Sequence, residues 1–262
     1  MRHARGALAR AAGAVLAVVV TGVSAGSGSA RAGETLVAVA ANFAEVIDEL
    51  KPIFERGSGH RLQATTGSTG KLYAQIKAGA PFQILLSADA RTPERLEAEA
   101  AGVVGTRFTY AIGRLALWSS DPGRIAGDGK AALAAGDVRH IAIANPDLAP
   151  YGIAAREALQ GLGLWDALRG KIVMGQNIGQ THSMVATGNA QLGFVALSAV
   201  LSPRAPGQGS RWDVPQELFK PIRQDAILLK AGAENPAARA FLDFLKSPEA
   251  RDVIERFGYG VE

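Results

Sequence analysis

Cysteine is absent from the 262 residues, which excludes a disulfide framework, a lipid-attachment thiol and any thiolate metal site. Histidine is scarce. Of the four, His3, His60, His140 and His182, no two stand at the i, i+4 spacing of a helical metal pair. No G-x-S-x-G nucleophile elbow occurs, because Ser68 in Gly67-Ser68-Thr69-Gly70 has the wrong spacing. Acidic residues are scattered over helix-like faces rather than paired in loops. The residues therefore point to no catalytic set and to no bound metal cation.

An excess of charge is also missing once the N-terminus is set aside. Arg2, Arg5 and Arg10 form a basic start, an apolar run follows over 11–23, and Ala30-Arg31-Ala32 reads as a cleavage site before Gly33. The first 32 residues are read as a secretory signal peptide. They hold four of the 28 basic residues and no acid, which leaves 24 basic against 24 acidic residues in the remainder. Nucleic-acid binding, which needs clustered positive charge, is not expected. No later apolar run reaches the ~18 residues of a membrane span, so a soluble protein outside the cytoplasmic membrane is expected.

What is present is an alternation of short β-rich runs with amphipathic helical ones, the pattern of an α/β protein with largely parallel sheets. Leu36-Val37-Ala38-Val39-Ala40 suits a strand covered on both faces, and Phe43, Val46, Ile47, Leu50, Ile53 and Phe54 follow helical spacing up to Gly57-Ser58-Gly59. Strands are expected over 61–65, 82–87, 108–118, 140–144, 171–174, 192–197 and 224–229. The Pro- and Gly-rich stretch 202–215 reads as a surface loop. The C-terminal helical region 237–257 is interrupted at Ser247-Pro248. Two lobes are expected, 33–112 with 226–262 and 113–225, with a cleft between them at the carboxyl ends of the strands.

The loop Thr66-Gly67-Ser68-Thr69-Gly70-Lys71 joins a strand to a helix through glycines and hydroxyls. Such a junction aims free backbone N–H groups, with the positive end of the helix dipole behind them, at one spot. It is no Walker A, since Thr65 stands where glycine is needed and Leu72 where a hydroxyl is needed. Either it cradles an anion, or Ser68 or Thr69 is a plain helix N-cap. Lys71 reads as a solvated side chain. Similar junctions occur at Ala41-Asn42-Phe43, Pro150-Tyr151-Gly152 and Asn177-Ile178-Gly179. The Asn42 side chain has two readings, a cap on the Glu45 N–H or an amide turned into the cleft. Tyr151 is either a core or lid aromatic or the donor of a backbone N–H, and Ile178 has only its backbone to offer. A cleft of neutral donors without a carboxylate suits a proton-free tetrahedral dianion better than hydrogen phosphate.

In this order and spacing, Ala41-Asn42-Phe43, Gly67-Ser68-Thr69-Gly70, Gly79-Ala80-Pro81, Ser87-Ala88-Asp89, Asn145-Pro146, Ala149-Pro150-Tyr151-Gly152, Gly179-Gln180 with His182-Ser183, and Leu192-Gly193-Phe194-Val195 resemble the periplasmic molybdate-binding proteins of ABC importers. The resemblance runs from Leu36 to about Tyr259. It implies a two-lobed type II periplasmic binding protein fold, each lobe a mostly parallel sheet flanked by helices. It further implies a non-enzymatic, monomeric carrier without cofactor that delivers molybdate or tungstate to a membrane permease. Carried over residue by residue, the oxyanion contacts fall on Asn42, Thr69, Tyr151 and Ile178, with Ala41 and Ser68 as additional candidates. Where some relatives place a tyrosine hydroxyl this chain has Ala196. Two alternatives stand beside this one: a carrier of sulfate or another tetrahedral oxyanion, and a secreted α/β enzyme acting on phospho- or sulfo-esters.

Overall fold

The computed structural model describes residues 32–205 and 209–262; residues 1–31 of the expected leader lie outside them. Among the described residues the strands form two five-stranded sheets. The first is built from β1 (Glu34–Ala40), β2 (Arg61–Gly67), β3 (Ile84–Leu86), β4 (Phe108–Gly113) and β10 (Ile222–Leu228), in the order β2-β1-β3-β10-β4. The second holds β5 (Leu115–Ser119), β6 (Ile141–Ala144), β7 (Ile172–Gly175), β8 (Leu192–Ala196) and β9 (Ser210–Asp213), in the order β7-β6-β8-β5-β9.

In each sheet four strands run the same way, as expected of mostly parallel sheets, and one strand running against them makes the sheet mixed, which was not expected. β1 pairs in parallel with β2 and β3, but β10 runs antiparallel to β3 and β4. In the second sheet β6 is parallel to β7 and β8, whereas β5 is antiparallel to β8 and β9. The reason is topological: strand-helix-strand units give parallel neighbours, and a strand that arrives from the other sheet enters from the opposite end. The Pro- and Gly-rich stretch also differs from its reading as loop, because Ser210–Asp213 lies in register beside β5. Four residues at a sheet edge carry too weak a pattern to be seen in sequence.

Helices cover the sheets where the apolar spacing requires it. Helix α1 (Ala44–Ser58) buries Val46, Ile47, Leu50 and Phe54 and ends at Gly59, whose φ of 71° is the left-handed cap that glycine adopts without strain. Helix α2 (Thr69–Lys77) follows β2, and α3 (Arg91–Ala98) follows β3. Around the second sheet lie α4 (Gly129–Ala134), α5 (Pro150–Gly161), α6 (Trp165–Leu168), α7 (Ile178–Ala186) and α8 (Leu197–Leu201). At the C-terminus α9 (Pro236–Leu245) and α10 (Pro248–Arg256) are separated at Lys246 and Ser247, whose hydroxyl caps the Ala250 N–H. Phe241, Leu242, Leu245, Val253 and Ile254 pack with Phe43, Phe54 and β1 in one apolar cluster. The end of the chain thereby completes the layer that its beginning starts.

Candidate functional site

The carboxyl end of β1 does not run straight into α1. Ala41–Phe43 makes a single 3-10 turn first, which leaves Asn42 buried at the foot of the sheet. β2 passes through Gly67 and Ser68 into α2, β6 through Asn145 to Ala149 into α5, and β7 through Gln176 and Asn177 into α7. These four junctions meet. Ala41, Asn42, Ser68, Thr69, Tyr151 and Ile178 line one small cavity, together with Ala40, Gly67, Ala88, Ala149, Pro150 and Asn177. All six residues singled out in the sequence are thus brought to one place.

None of the lining residues carries a formal charge. Positive potential comes instead from three helix N-termini, those of α2, α5 and α7, whose first N–H groups have no acceptor within the helix. Tyr151 and Ile178 are first-turn residues, and Pro150 at the start of α5 has no N–H to spend. Asn177 steadies α7 by accepting the Gln180 N–H on Oδ1 at 2.9 Å. The approach of α5 to β6 depends on Gly152, since a Cβ there would stand 2.1 Å from the Ala144 carbonyl oxygen.

The side chains settle the readings left open by sequence. Ser68 occupies the N-cap position of α2, yet its hydroxyl makes no capping bond and is buried without a partner. Thr69 does not cap either: its Oγ1 accepts the Ala88 N–H at 3.1 Å, which leaves the hydroxyl proton free to donate. The plain N-cap reading is therefore corrected. Asn42 does not cap Glu45; its Nδ2 donates to Gln224 Oε1 at 2.8 Å and to Tyr259 Oη at 3.0 Å. Tyr151 is a core aromatic, fully buried, whose Oη accepts from Gln224 Nε2 at 3.2 Å. Lys71 is exposed.

Sequence reasoning missed the polar layer behind the cavity, which consists of Gln224, Tyr110, Tyr259 and Ser198. Tyr110 Oη donates to the Ser87 carbonyl at 3.0 Å, and Tyr259 Oη donates to the Asn42 carbonyl at 2.8 Å. Burial raises the phenols of Tyr110 and Tyr151 well above their ordinary range and pushes Tyr259 up to about 12. All three stay neutral. Their one visible signal was three polar residues, Arg223, Gln224 and Asp225, inside an otherwise apolar strand. His182 lines the neighbouring cavity beside Glu45 and stacks on Trp118 at 4.7 Å. Desolvation lowers its pKa, more than Glu45 raises it, so it brings no charge to the site at neutral pH.

The two sheets touch across the cavity. Gly70 N–H donates to the Leu148 carbonyl at 2.9 Å, and Gln224 on β10 reaches Tyr151 on α5. Ser198 Oγ contacts Tyr259 Oη at 2.9 Å and the Asn42 carbonyl at 3.3 Å. Among the described residues no cluster of histidine and carboxylate side chains could hold a metal ion, and no helix is long and apolar enough to cross a membrane.

Two mixed sheets flanked by helices recur among known proteins. Residues 35–260 match the family of bacterial extracellular solute-binding proteins. The chain belongs to that family. Within it, the chain is 48% identical over 245 residues to the molybdate-binding protein ModA of Azotobacter vinelandii, covering 94% of this chain and 97% of that one. The ModA of Rhodobacter capsulatus is 48% identical over 251 residues, covering 96% of each. A solved structure of the A. vinelandii periplasmic molybdate-binding protein superposes with a TM-score of 0.83 at 41% identity, covering 87% of this chain and 99% of that one. These relatives are named as binding proteins.

Proposed function

We propose that this solute-binding protein captures molybdate, and tungstate alongside it, outside the cytoplasmic membrane and delivers it to an ABC permease. It acts as a soluble periplasmic monomer and catalyses no reaction. The observation that carries this reading is the chemistry of the cavity. Hydroxyl and backbone N–H groups converge there from four junctions with the Asn42 amide beside them, and no carboxylate or imidazole lines it. Such a site matches an ion that has only acceptor atoms, and it has no carboxylate or imidazole to take the proton of hydrogen phosphate. The relatives named as molybdate-binding proteins supply the ion's identity. Asn42, Thr69 and the backbone N–H groups of Tyr151 and Ile178 hold the oxyanion, with Ser68 and the backbone of Ala41 beside them. The two sheets are the cores of two lobes, which follow the expected bounds of 33–112 with 226–262 and 113–225 except that β10 belongs to the first from Ile222 onward, and the lobes close on the ion by bending at their connecting strands.

Charge and shape are shared by molybdate, tungstate and sulfate, so selection among them rests on cavity size. Titration calorimetry on ligand-stripped protein with molybdate, tungstate, sulfate and phosphate tests the assignment. Tight binding of the two metal oxyanions and weak or undetectable binding of the others is expected. Tight sulfate or phosphate binding without molybdate binding contradicts it.

A further inference from the structure

Asn42 is placed to face the oxyanion, but the amide atom of Asn42 that lacks a partner is Oδ1, an acceptor, buried against a cavity of donors. An anion cannot be met by a carbonyl oxygen. The nitrogen that should meet it is engaged behind the cavity, on Gln224 Oε1 and Tyr259 Oη.

The atoms around Gln224 show how this is resolved. Gln224 is fully buried and touches Asn42, Tyr110 and Tyr151 at 2.8, 3.2 and 3.2 Å. A half-turn of both amides exchanges nitrogen for oxygen at each contact. Gln224 Nε2 then donates to Asn42 Oδ1 and to Tyr110 Oη, whose own proton already goes to the Ser87 carbonyl. Tyr151 Oη donates to Gln224 Oε1. Tyr259 Oη donates to Asn42 Oδ1, while Ser198 Oγ, 3.3 Å away, serves the Asn42 carbonyl. Every group is paired, and Asn42 Nδ2 faces the cavity as a donor. Space for this arrangement is provided by Gly113, where a Cβ would stand 2.2 Å from Tyr151 Oη and 2.6 Å from Gln224 Nε2.

We propose that Gln224 is a positioning residue for the oxyanion site: its amide holds that of Asn42 with the nitrogen toward the ligand, and it joins this to Tyr151 on the opposite face of the cleft. The proposal rests on the reading of Asn42 as an oxyanion ligand. Molybdate affinity is measured by calorimetry for the full mature chain, Asn42→Ala, Gln224→Met and the double variant. Gln224→Met keeps length and volume but removes both hydrogen-bonding ends. It is expected to weaken binding about tenfold, the worth of one hydrogen bond to a charged acceptor. Added to Asn42→Ala it is expected to cost less than about twofold, because both act through one contact. Unchanged affinity in Gln224→Met, or a penalty that adds in full to that of Asn42→Ala, overturns the proposal.

A second measurement needs no change at position 224. The side-chain amide signal of Asn42 in nitrogen-15 spectra, assigned by its loss in Asn42→Ala, is expected to move on adding molybdate; a signal that stays in place overturns the proposal. If the unaltered chain binds no molybdate, the functional reading itself fails. If it binds and Asn42→Ala binds equally well, only Asn42 and this proposal fall.

Discussion

On the proposed reading, Thr69 serves both structure and ligand with one side chain. Its oxygen accepts the Ala88 N–H, and its proton remains for the cavity. Replacing it with alanine therefore has two separable effects. Molybdate affinity is expected to fall by about 1–3 kcal/mol, the cost of leaving a charged acceptor short of a donor. Stability without ligand is expected to fall by about 1 kcal/mol for the lost Ala88 contact. Thr69→Ser should spare both, since it keeps the oxygen and its proton. Calorimetry and thermal unfolding read the two effects independently, and unchanged affinity in Thr69→Ala removes the residue from the site. The placement of Thr69 at the cavity was legible from its position in a glycine- and hydroxyl-rich junction. The place of Gln224 was not, because its partner Asn42 lies 182 positions away and a short polar run in a strand has many structural uses.

At the scale of elements, the site is made by strands that end where helices begin, and the closeness of those joins is set by missing side chains. Gly152 lets the first turn of α5 rest on the end of β6. Alanine there is expected to cost about 3 kcal/mol in denaturant unfolding, because backbone rather than a yielding side chain stands in the way. Gly170→Ala, where nothing lies within 4 Å of the added carbon, is the matched control and should change stability by less than about 0.5 kcal/mol. Equal effects of the two would show that the junction is not packed as described. These βα elements were readable because continuous apolar runs, helical spacing and glycine stops all agree locally. The orientation of β5 and β10 was not, since a strand's direction in a sheet is decided by where the chain comes from and leaves no mark on its own residues. β9 escaped notice for a related reason: it is short, and its pairing partner β5 lies some 90 positions earlier.

For the molecule as a whole, the proposed function depends on two faces meeting over the ion. Gly70 and Leu148 are a point where they do so, with one hydrogen bond and no side chain between them. A Cβ at position 70 would come within 3.1 Å of the Leu148 carbonyl oxygen and 3.2 Å of its Cα. Gly70→Ala is therefore expected to hold the faces slightly apart and to weaken molybdate binding by about 1 kcal/mol. Its unfolding temperature without ligand should be unchanged or higher, because alanine favours the helix that contains it. A variant that binds as tightly as the original chain would show that this contact is no part of closure.

The central claim is that a proton-free dianion is held by neutral donors and helix ends alone. The phenols beside the site stay protonated at pH 7.5, and the His182 imidazole, with its lowered pKa, stays neutral there. Molybdate binding should then neither take up nor release protons. Calorimetric titration at pH 7.5 in buffers of widely different ionisation enthalpy measures this directly. The same binding enthalpy in every buffer is predicted, and a dependence corresponding to about one proton per ion bound would contradict the account.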